Sequence, residues 1–254
     1  MAGRVALVTG GGGGIGEATG RLFAEEGARW PSWTPTSRRW RPRRPPSPTM
    51  SRAPPVLALA ADLTREAEAA RAVEAAVSRL GGLHTLVNVA GVRVYAALAD
   101  AAPADWERII GVNVLATAYC CRAGLPALRA SGRGTIVNVS SVYGVMGRAG
   151  MGQYDTTKAA VLGYTRALAV EEAPHGLRVN AVCPGGTITP YHVRRAASQG
   201  VSEAELRTQR ADANLLGRWA EPREVAYPIL FLAGDESSFV TGATLMVDGG
   251  RSIS

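Results

Sequence analysis

The stretch Thr9-Gly10-Gly11-Gly12-Gly13-Gly14-Ile15-Gly16 decides the fold of this 254-residue chain. It follows a short apolar run, Arg4 to Thr9, and leads into a helical pattern that begins near Glu17. Glycines let the backbone turn tightly and approach a pyrophosphate, which then lies at the positive end of the following helix. A glycine-rich loop alone is equally typical of a flexible turn. The strand before it and the helix after it predict a dinucleotide site.

Short β-branched runs alternate with alanine-rich helical stretches along the rest of the chain. This alternation is typical of a parallel sheet that is covered by helices on both faces. Further strands are predicted near Val56 to Ala60, Thr85 to Val89, Thr135 to Ser140, Arg178 to Cys183 and Thr244 to Val247. The length suits one large domain. We therefore expect a single doubly wound α/β domain over residues 1–254.

Two helical stretches carry polar residues of interest. Pro103 opens one helix and Ala130 closes it, and Asn113 lies between them. The stretch from Thr187 to Gly217 is irregular apart from a short helix, which begins with a Ser202 capping box. We interpret Thr187 to Gly217 as a mobile substrate flap over a pocket.

The chain contains a single lysine, Lys158, four residues after Tyr154. Residues four apart share a helix face, so the ammonium group can lie beside the phenol and lower its pKa. A phenol tuned in this way can exchange protons with a carbonyl or alcohol oxygen. Arginine is a wide fork and cannot replace the compact ammonium group. Taken alone, the pair is equally compatible with a surface Tyr and Lys on one helix.

In order and spacing, several motifs together resemble the short-chain dehydrogenase/reductase (SDR) family. They are Thr9-Gly10-x-x-x-Gly14-Ile15-Gly16, Asn88-Val89-Ala90-Gly91, Asn113, Ser141, Tyr154-x-x-x-Lys158 and Pro184-Gly185-x-x-x-Thr189. The resemblance covers the chain except Trp30 to Pro55. It implies a Rossmann fold with about seven parallel strands, NAD or NADP as hydride carrier, and a homotetramer built partly through the long helices.

The resemblance also implies four catalytic residues. Tyr154 would be the acid/base, and Ser141 would hydrogen-bond the substrate oxygen. Lys158 would hold the nicotinamide ribose, while Asn113 would help to hold a water that connects Lys158 to solvent. Ser140 is the competing hydroxyl; alternate strand residues point to opposite faces, and the family spacing selects Ser141.

The cofactor-binding residues are carried over in the same way. They are Gly10, Gly14, Ile15, Gly16, Asp62, Leu63, Asn88, Ala90, Gly91, Tyr154, Lys158, Pro184, Gly185, Thr187 and Thr189. Asp62 would face the adenine ring, and Asn88 would connect the central strands near the cofactor. Thr187 stands where the family usually has Ile or Val, so we expect its backbone contact to persist while its packing changes.

Residues 30–55 depart from the family pattern. The family has a second strand here, which ends in the residue that separates NAD from NADP. This segment instead contains eight of the fifteen prolines and three of the five tryptophans. Proline removes a donor from an interior strand, and a structureless loop of this length is unusual. We therefore expect the second strand to be missing or distorted.

One hypothesis is that this segment is read out of frame relative to its ancestor. The last base of the Trp30 codon and the first two of Pro31 spell alanine, and Trp33 with Thr34 spells aspartate in the same way. With GC-rich third bases, Arg29 to Thr34 becomes Arg-Val-Ala-Val-Val-Asp. This restored sequence would form an apolar strand that ends in an aspartate, which suits hydrogen bonding to the adenosine ribose of NAD.

The other interpretation is a genuine insertion. Arg38 and Arg39 would then bind the 2′-phosphate of NADP, because arginine suits phosphate. Gly13 argues mildly against NADP, since family members that prefer NADP often carry a basic residue at that position. We favour the out-of-frame hypothesis, and with it NAD.

The net charge of +7 is local, because the segment from Trp30 to Pro55 holds six arginines and no acid, which leaves 7 − 6 = +1 for the remainder. Nucleic-acid binding through this run, with tryptophans that stack on bases, is a weaker alternative, and we expect no nucleic-acid partner.

Cys120, Cys121 and Cys183 lack metal or disulfide spacing and are expected to be buried thiols. No apolar run reaches the length of a membrane span and no signal peptide precedes the first strand, so we expect a cytoplasmic protein without a membrane partner.

The resemblance implies an NAD(P)-dependent oxidoreductase that transfers hydride between a nicotinamide and a secondary alcohol or ketone, with Tyr154 as acid/base. The alternative is a folded but cofactor-poor or inactive family member, because residues 30–55 are altered. The flap side chains that could meet a polar or acidic substrate are Tyr191, His192, Arg194 and Arg195, although an exposed basic loop is the simpler interpretation. Candidates for an apolar lining are Val94, Tyr95, Val142, Met146 and Met151.

Overall fold

The computed structural model describes residues 1–29, 31–33, 57–209 and 214–254. Within this part of the chain the strands are β1 (Ala6–Thr9), β2 (Pro31–Trp33), β3 (Leu57–Leu59), β4 (Thr85–Asn88), β5 (Thr135–Val139), β6 (Arg178–Pro184) and β7 (Thr244–Val247). All neighbours pair in parallel, in the order β3-β2-β1-β4-β5-β6-β7. The prediction of a doubly wound Rossmann sheet is confirmed.

The helices of the described residues are α1 (Gly14–Glu25), α2 (Glu66–Leu80), α3 (Pro103–Ile110), α4 (Ala116–Ala130), α5 (Gly152–Glu172), α6 (Pro190–Ala197), α7 (Glu203–Thr208) and α8 (Pro222–Ala233). The predicted helix from Pro103 to Ala130 is interrupted, because a π-helical turn, Gly111–Leu115, joins α3 to α4. This turn carries Asn113, which is buried.

Successive residues of β1 serve two apolar layers on opposite faces of the sheet. Leu7 lies in one core cluster with residues of α2, α4 and α5, whereas Ala6 and Val8 lie in another with residues of α1 and α8. Strands that are buried on both faces need no alternation of polar residues, which explains the continuous apolar runs. Because the strands are parallel, the loops after β1, β4, β5 and β6 emerge at one edge, where ligands bind in folds of this kind.

The expectation for the second strand is corrected by the structure. Pro31–Trp33 forms β2, with Ser32 opposite Val8 of β1 and opposite Ala58 of β3. Pairing in a parallel ladder uses main-chain groups, and Pro31 stands at the first position, where a missing N–H is tolerated. The strand occupies the three positions that the restored reading frame would write as Ala-Val-Val. The rest of the 30–55 segment lies outside the described residues.

The described part of the predicted flap, residues 187–209 and 214–217, is more regular than predicted; its residues 210–213 lie outside the described part of the chain. The Ser202 capping box is confirmed, because its side chain accepts from the Glu205 N–H while the Glu205 side chain accepts from the Ser202 N–H. A second helix, α6, precedes it and begins at Pro190. Proline suits the first helical position, since its N–H would have no intrahelical partner there.

By length and composition, one helical stretch of the described residues would suit a membrane span. Pro103–Ala130 has 28 residues, and an 18-residue window within it has a mean hydropathy of 1.3, although the sequence contains no unbroken apolar run of that length. In the fold, this stretch contributes Cys120 and Leu128 to the core beside the sheet. Its apolar composition is therefore explained by packing within the domain.

Candidate active site

The glycine-rich turn after β1 is shaped by backbone contacts that exclude side chains. Gly10 has a φ of 68°, and a Cβ there would lie 3.0 Å from the main-chain nitrogen of Ala90. A Cβ on Gly16 would lie 2.4 Å from the carbonyl oxygen of Gly10. Gly13 is the N-cap of α1 and has no side chain to occupy the first N–H groups of the helix. The main-chain N–H groups of the first turn of α1 are therefore available to bind an anion.

A cleft of about 1030 Å³ runs from this turn to the predicted catalytic side chains. The predicted cofactor residues that line it are Gly10, Gly14, Ile15, Ala90, Gly91, Tyr154, Lys158, Pro184, Gly185, Thr187 and Thr189. The glycine turn, the open helix end and the elongated cleft fit a nicotinamide dinucleotide.

Four of the predicted cofactor residues, Asn88, Asp62, Leu63 and Gly16, lie outside this lining. Asn88 is buried and donates to the Asn138 side chain at 2.9 Å and to Cys121 Sγ at 3.2 Å, which connects β4 to β5 and α4. Asp62 is exposed and accepts from Thr64, and Leu63 packs against the α2 side of the core. Their contact with a cofactor stays a prediction, as does that of Gly16, which packs against the glycine turn.

Tyr154 and Lys158 lie together on α5, as their spacing predicted. Both are buried, with exposed fractions of 7% and 4%. The Lys158 ammonium group lies 5.7 Å from the centre of the Tyr154 ring and donates to the carbonyl oxygen of Val139 at 2.8 Å. This hydrogen bond to the end of β5 fixes the lysine inside the cleft.

The charges around Tyr154 favour its ionised form. Burial alone would raise the pKa of Tyr154, but the positive charges of Lys158, Arg93 and Arg148, together with a hydrogen bond from Ser141, outweigh it and hold that pKa below 10.0. Burial lowers the pKa of Lys158, and the nearby Arg93 acts in the same direction. A buried phenol with a lowered pKa is suited to proton transfer.

The two neighbouring serines have different partners. Ser140 donates to the main-chain oxygen of Lys158 at 2.7 Å and so stabilises α5 against β5. The Ser141 hydroxyl accepts from the Tyr143 N–H at 3.2 Å and faces the cleft beside Tyr154. This arrangement favours Ser141 as the residue that contacts substrate.

Asn113 uses its side chain to hold neighbouring segments together. Its Oδ1 accepts from the Val92 N–H at 2.8 Å, and its Nδ2 donates to Val92 O at 3.1 Å and to Thr157 Oγ1 at 3.0 Å. A Cβ on Gly91 would lie 3.4 Å from Asn113 Oδ1 and 3.5 Å from Lys158 Nζ, so these two groups flank Gly91. The role of Asn113 in holding a water stays a prediction.

Two arginines beside Tyr154 were missed by the sequence analysis. The Arg93 guanidinium carbon lies 5.4 Å from the centre of the Tyr154 ring, and its Nη1 is 2.7 Å from His192 Nε2. The Arg148 guanidinium carbon lies 5.3 Å from the same ring centre, and its Nε donates to Asp155 at 3.3 Å. Both arginines follow strands at the edge where ligands bind, and that position was the available signal.

A small cavity of about 240 Å³ adjoins the cleft. Both are lined by Arg93, Tyr95, Ser141, Gly185, His192 and Arg195. Of the predicted apolar residues, Tyr95, Val142 and Met151 line this small cavity, and Val94 is buried beside Tyr154. Met146 is absent from the lining that the described residues form. The cavity is placed to hold the part of a substrate beyond its reacting carbon.

Comparisons with known proteins agree with this geometry. A family model described as enoyl-(acyl carrier protein) reductase matches residues 10–252. The 3-alpha-(or 20-beta)-hydroxysteroid dehydrogenase of Mycobacterium tuberculosis is 36% identical over 250 residues, which cover 98% of this chain and 90% of that protein. The cis-4-hydroxycyclohexanecarboxylate dehydrogenase of Sinomonas cyclohexanicum is 39% identical over 248 residues, which cover 97% of this chain and 96% of that protein. The structure of ElxO with NADP bound has a TM-score of 0.87 and 28% identity, with 98% of each chain covered.

Proposed function

Because this chain belongs to the short-chain dehydrogenase/reductase family, and is an NAD(P)-dependent oxidoreductase that acts on alcohols, we propose that Tyr154 is its acid/base. The observation that carries this assignment is the buried phenol of Tyr154, which lines the cleft beside Lys158 and beside Arg93 and Ser141, the two of these residues that also line the small cavity. The comparisons give no support to an inactive, cofactor-poor protein.

Each of the side chains Tyr154, Ser141 and Lys158 has a separate role in the reaction of a secondary alcohol or ketone. In oxidation, ionised Tyr154 accepts the hydroxyl proton of the substrate, and in reduction its phenol returns a proton to the carbonyl oxygen. Ser141 donates a hydrogen bond to the same oxygen. Lys158, held by the Val139 carbonyl oxygen, keeps a positive charge near the phenolate and the ribose. When bound, the nicotinamide dinucleotide accepts or supplies hydride at the substrate carbon.

We assign the chemistry to a carbon–oxygen bond. The family model is described by a reductase of an enoyl group, whereas both named relatives are hydroxyl dehydrogenases. A phenol that exchanges protons with an oxygen suits the second kind of reaction. NAD is the proposed cofactor, because Gly13 leaves no basic side chain at the turn; the relative ElxO, in contrast, has NADP bound.

The test is an assay of secondary alcohols and ketones with both cofactors, and the hydroxysteroids and hydroxycyclohexanecarboxylates of the relatives belong in the panel. Tyr154→Phe keeps the ring and removes the hydroxyl, so we expect turnover to fall about 10²- to 10⁴-fold. Titration with NADH should show that the variant still binds dinucleotide. Equal rates for the variant and the wild type would contradict the assignment.

We propose in addition that the protein is a cytoplasmic homotetramer, as the family resemblance implies. Exposed apolar side chains on the long helix α5 and on α8 support an association of subunits. Val170 is 76% exposed and Phe231 is 43% exposed, while Phe239, after α8, is fully exposed.

A further inference from the structure

Arginine dominates the charge of the small cavity. The arginines that line it are Arg93, Arg148, Arg195, Arg218 and Arg251. None of the described residues in this lining is aspartate or glutamate. Such a concentration of one charge favours an anionic group in any ligand that enters the cavity.

Carboxylates of the protein compensate this charge only in part. Arg218 is paired through both its terminal nitrogens with Glu224, at 2.6 and 2.7 Å. Arg148 has the longer contact of 3.3 Å to Asp155. For the other three arginines of the cavity, the described part of the chain supplies no ion pair. The small cavity therefore has a surplus of positive charge.

The geometry leaves guanidinium N–H groups available. Arg148 stacks its guanidinium carbon 3.7 Å from the centre of the Tyr143 ring, and Arg195 stacks 3.6 Å from that of Tyr95. A stacked guanidinium group contacts the ring through its face, so its N–H groups still point outward in its own plane. Among the described residues, Arg148 Nη2 and Asp155 Oδ2, which belong to one ion pair, are both buried without a hydrogen-bond partner. The Arg148 side chain as a whole is 19% exposed and lines the small cavity, so the part of the guanidinium group that is not buried can reach a ligand there.

We infer that the substrate carries a carboxylate, which Arg148 binds in the small cavity with Arg93 and Arg195 beside it, while the hydroxyl or ketone group faces Tyr154 and Ser141. This inference rests on the proposed function and names its substrate class. Arginine and carboxylate form two parallel, charge-assisted hydrogen bonds, which fix orientation as well as affinity. The carboxylate would therefore set which carbon of the substrate lies beside Tyr154.

A competing explanation is that these arginines act only on the ionisation of Tyr154. In that case, loss of Arg148 would slow the reduction of acidic and of neutral ketones to the same extent. If Arg148 binds a carboxylate, its loss should instead change the ratio of kcat/KM for the acidic ketone to kcat/KM for the neutral ketone. The ratio therefore separates the two roles.

The probes are 4-acetylbenzoate and its neutral analogue 4-acetylbenzamide, which differ in charge and hardly in shape. We would measure the binding of each to the enzyme with saturating NADH or NADPH by calorimetry, and the kcat/KM for reduction of each. We expect wild type to prefer the acid by about tenfold or more, and Arg148→Met to reduce this preference about ten- to hundredfold.

Three further variants control for folding and for charge. Arg148→Met combined with Asp155→Asn avoids leaving a buried carboxylate without its partner and should show the same loss of preference. Arg148→Lys keeps the charge and should restore part of the preference. Arg71→Met removes an arginine that is exposed on α2, away from both cavities, and should leave the preference unchanged.

The outcomes separate this inference from the proposed function. Equal binding of the two ketones by wild type, or no binding of the acid, overturns the inference even where 4-acetylbenzamide is reduced. The inference is also overturned if Arg148→Met lowers the affinity and kcat/KM for both ketones by the same factor. Preferential binding of the acid, together with no turnover of any alcohol or ketone in the panel with either cofactor, supports the inference and contradicts the proposed function.

Discussion

At the scale of the residue, Tyr154 is surrounded by the charges of Lys158, Arg93 and Arg148, which together overcome the effect of burial on its pKa. The ionised phenol is the base in alcohol oxidation, so the rate should rise with pH through a pKa below that of a free phenol. In Arg93→Met one positive charge is lost, the phenolate is less stabilised, and the pKa of Tyr154 rises. The rising limb of kcat/KM against pH should then move to higher pH.

The control for this pH profile is again Arg71→Met, which changes the net charge equally at an exposed position on α2. A profile that moves equally in both variants would mean that net charge, and not proximity to Tyr154, is responsible. An unmoved profile in Arg93→Met would remove Arg93 from the account of this phenol.

At the scale of the element, the turn between β1 and α1 depends on Gly16. In Gly16→Ala the new Cβ would meet the Gly10 carbonyl oxygen at 2.4 Å, so the backbone of the glycine turn must shift. Because that backbone forms the expected pyrophosphate site, we expect NADH affinity to fall by an order of magnitude or more, with a lower melting temperature.

The matched control is Gly163→Ala, on the exposed side of α5. A Cβ at Gly163 meets nothing within 4 Å. Alanine is the better helix former, by about 1 kcal/mol, so this variant should keep its affinity and melt at the same or a higher temperature. An unchanged NADH affinity in Gly16→Ala would show that the turn tolerates the shift, and similar losses in both variants would show that the effect is not specific to the contact at Gly16.

The second strand offers a test of the out-of-frame hypothesis. The combined change Trp30→Val, Pro31→Ala, Ser32→Val, Trp33→Val and Thr34→Asp restores the text of the ancestral frame. The restored aspartate would accept hydrogen bonds from the adenosine ribose, so NADH should bind about ten- to hundredfold more tightly and NADPH should not. Fluorescence titration with both cofactors measures this difference. Unchanged or weaker NADH binding would favour a genuine insertion, as would close relatives whose genes encode the same segment.

Local patterns account for much of the fold and of the site. The glycine turn and the spacing of Tyr154 and Lys158 depend on neighbours in sequence, and both could be predicted. The positions of Arg93 and Arg148 after β4 and β5 were a signal that these residues lie at the ligand edge, but their contact with Tyr154 was not predictable because it is made by two loops that only the sheet brings together. The helix α6 was missed although Thr189-Pro190 is a helix-start signal, since its eight residues are mostly polar and too few to make a helical period evident.

At the scale of the whole molecule, the parallel sheet collects the site from loops that are distant in sequence. Arg93 follows β4, Arg148 follows β5, and Arg195 lies on α6 after β6. The sheet order could be expected from the family resemblance, whereas the side-chain directions within these loops could not. The charge of the small cavity is therefore a property of the tertiary structure.

The proposed assembly belongs to this scale as well. Light scattering should give about four times the chain mass of 26.5 kDa. Val170→Glu places a charge on an exposed apolar position of α5 and should reduce that mass, because a desolvated charge weakens an apolar interface. Arg71→Glu is the control and should leave the mass unchanged. A monomer mass for wild type would contradict the proposed tetramer.

The π-helical turn Gly111–Leu115 has a consequence for any later redesign of this protein. A π turn holds one residue more than an ordinary helical turn, so it offsets the angular phase of α3 from that of α4 by about 100°. Removing a single residue there would close the wider loop into a uniform helix and rotate Trp106 and Ile109 away from their present neighbours. An alignment gap of one position in this stretch would therefore mark a change of shape, even if every other letter were kept.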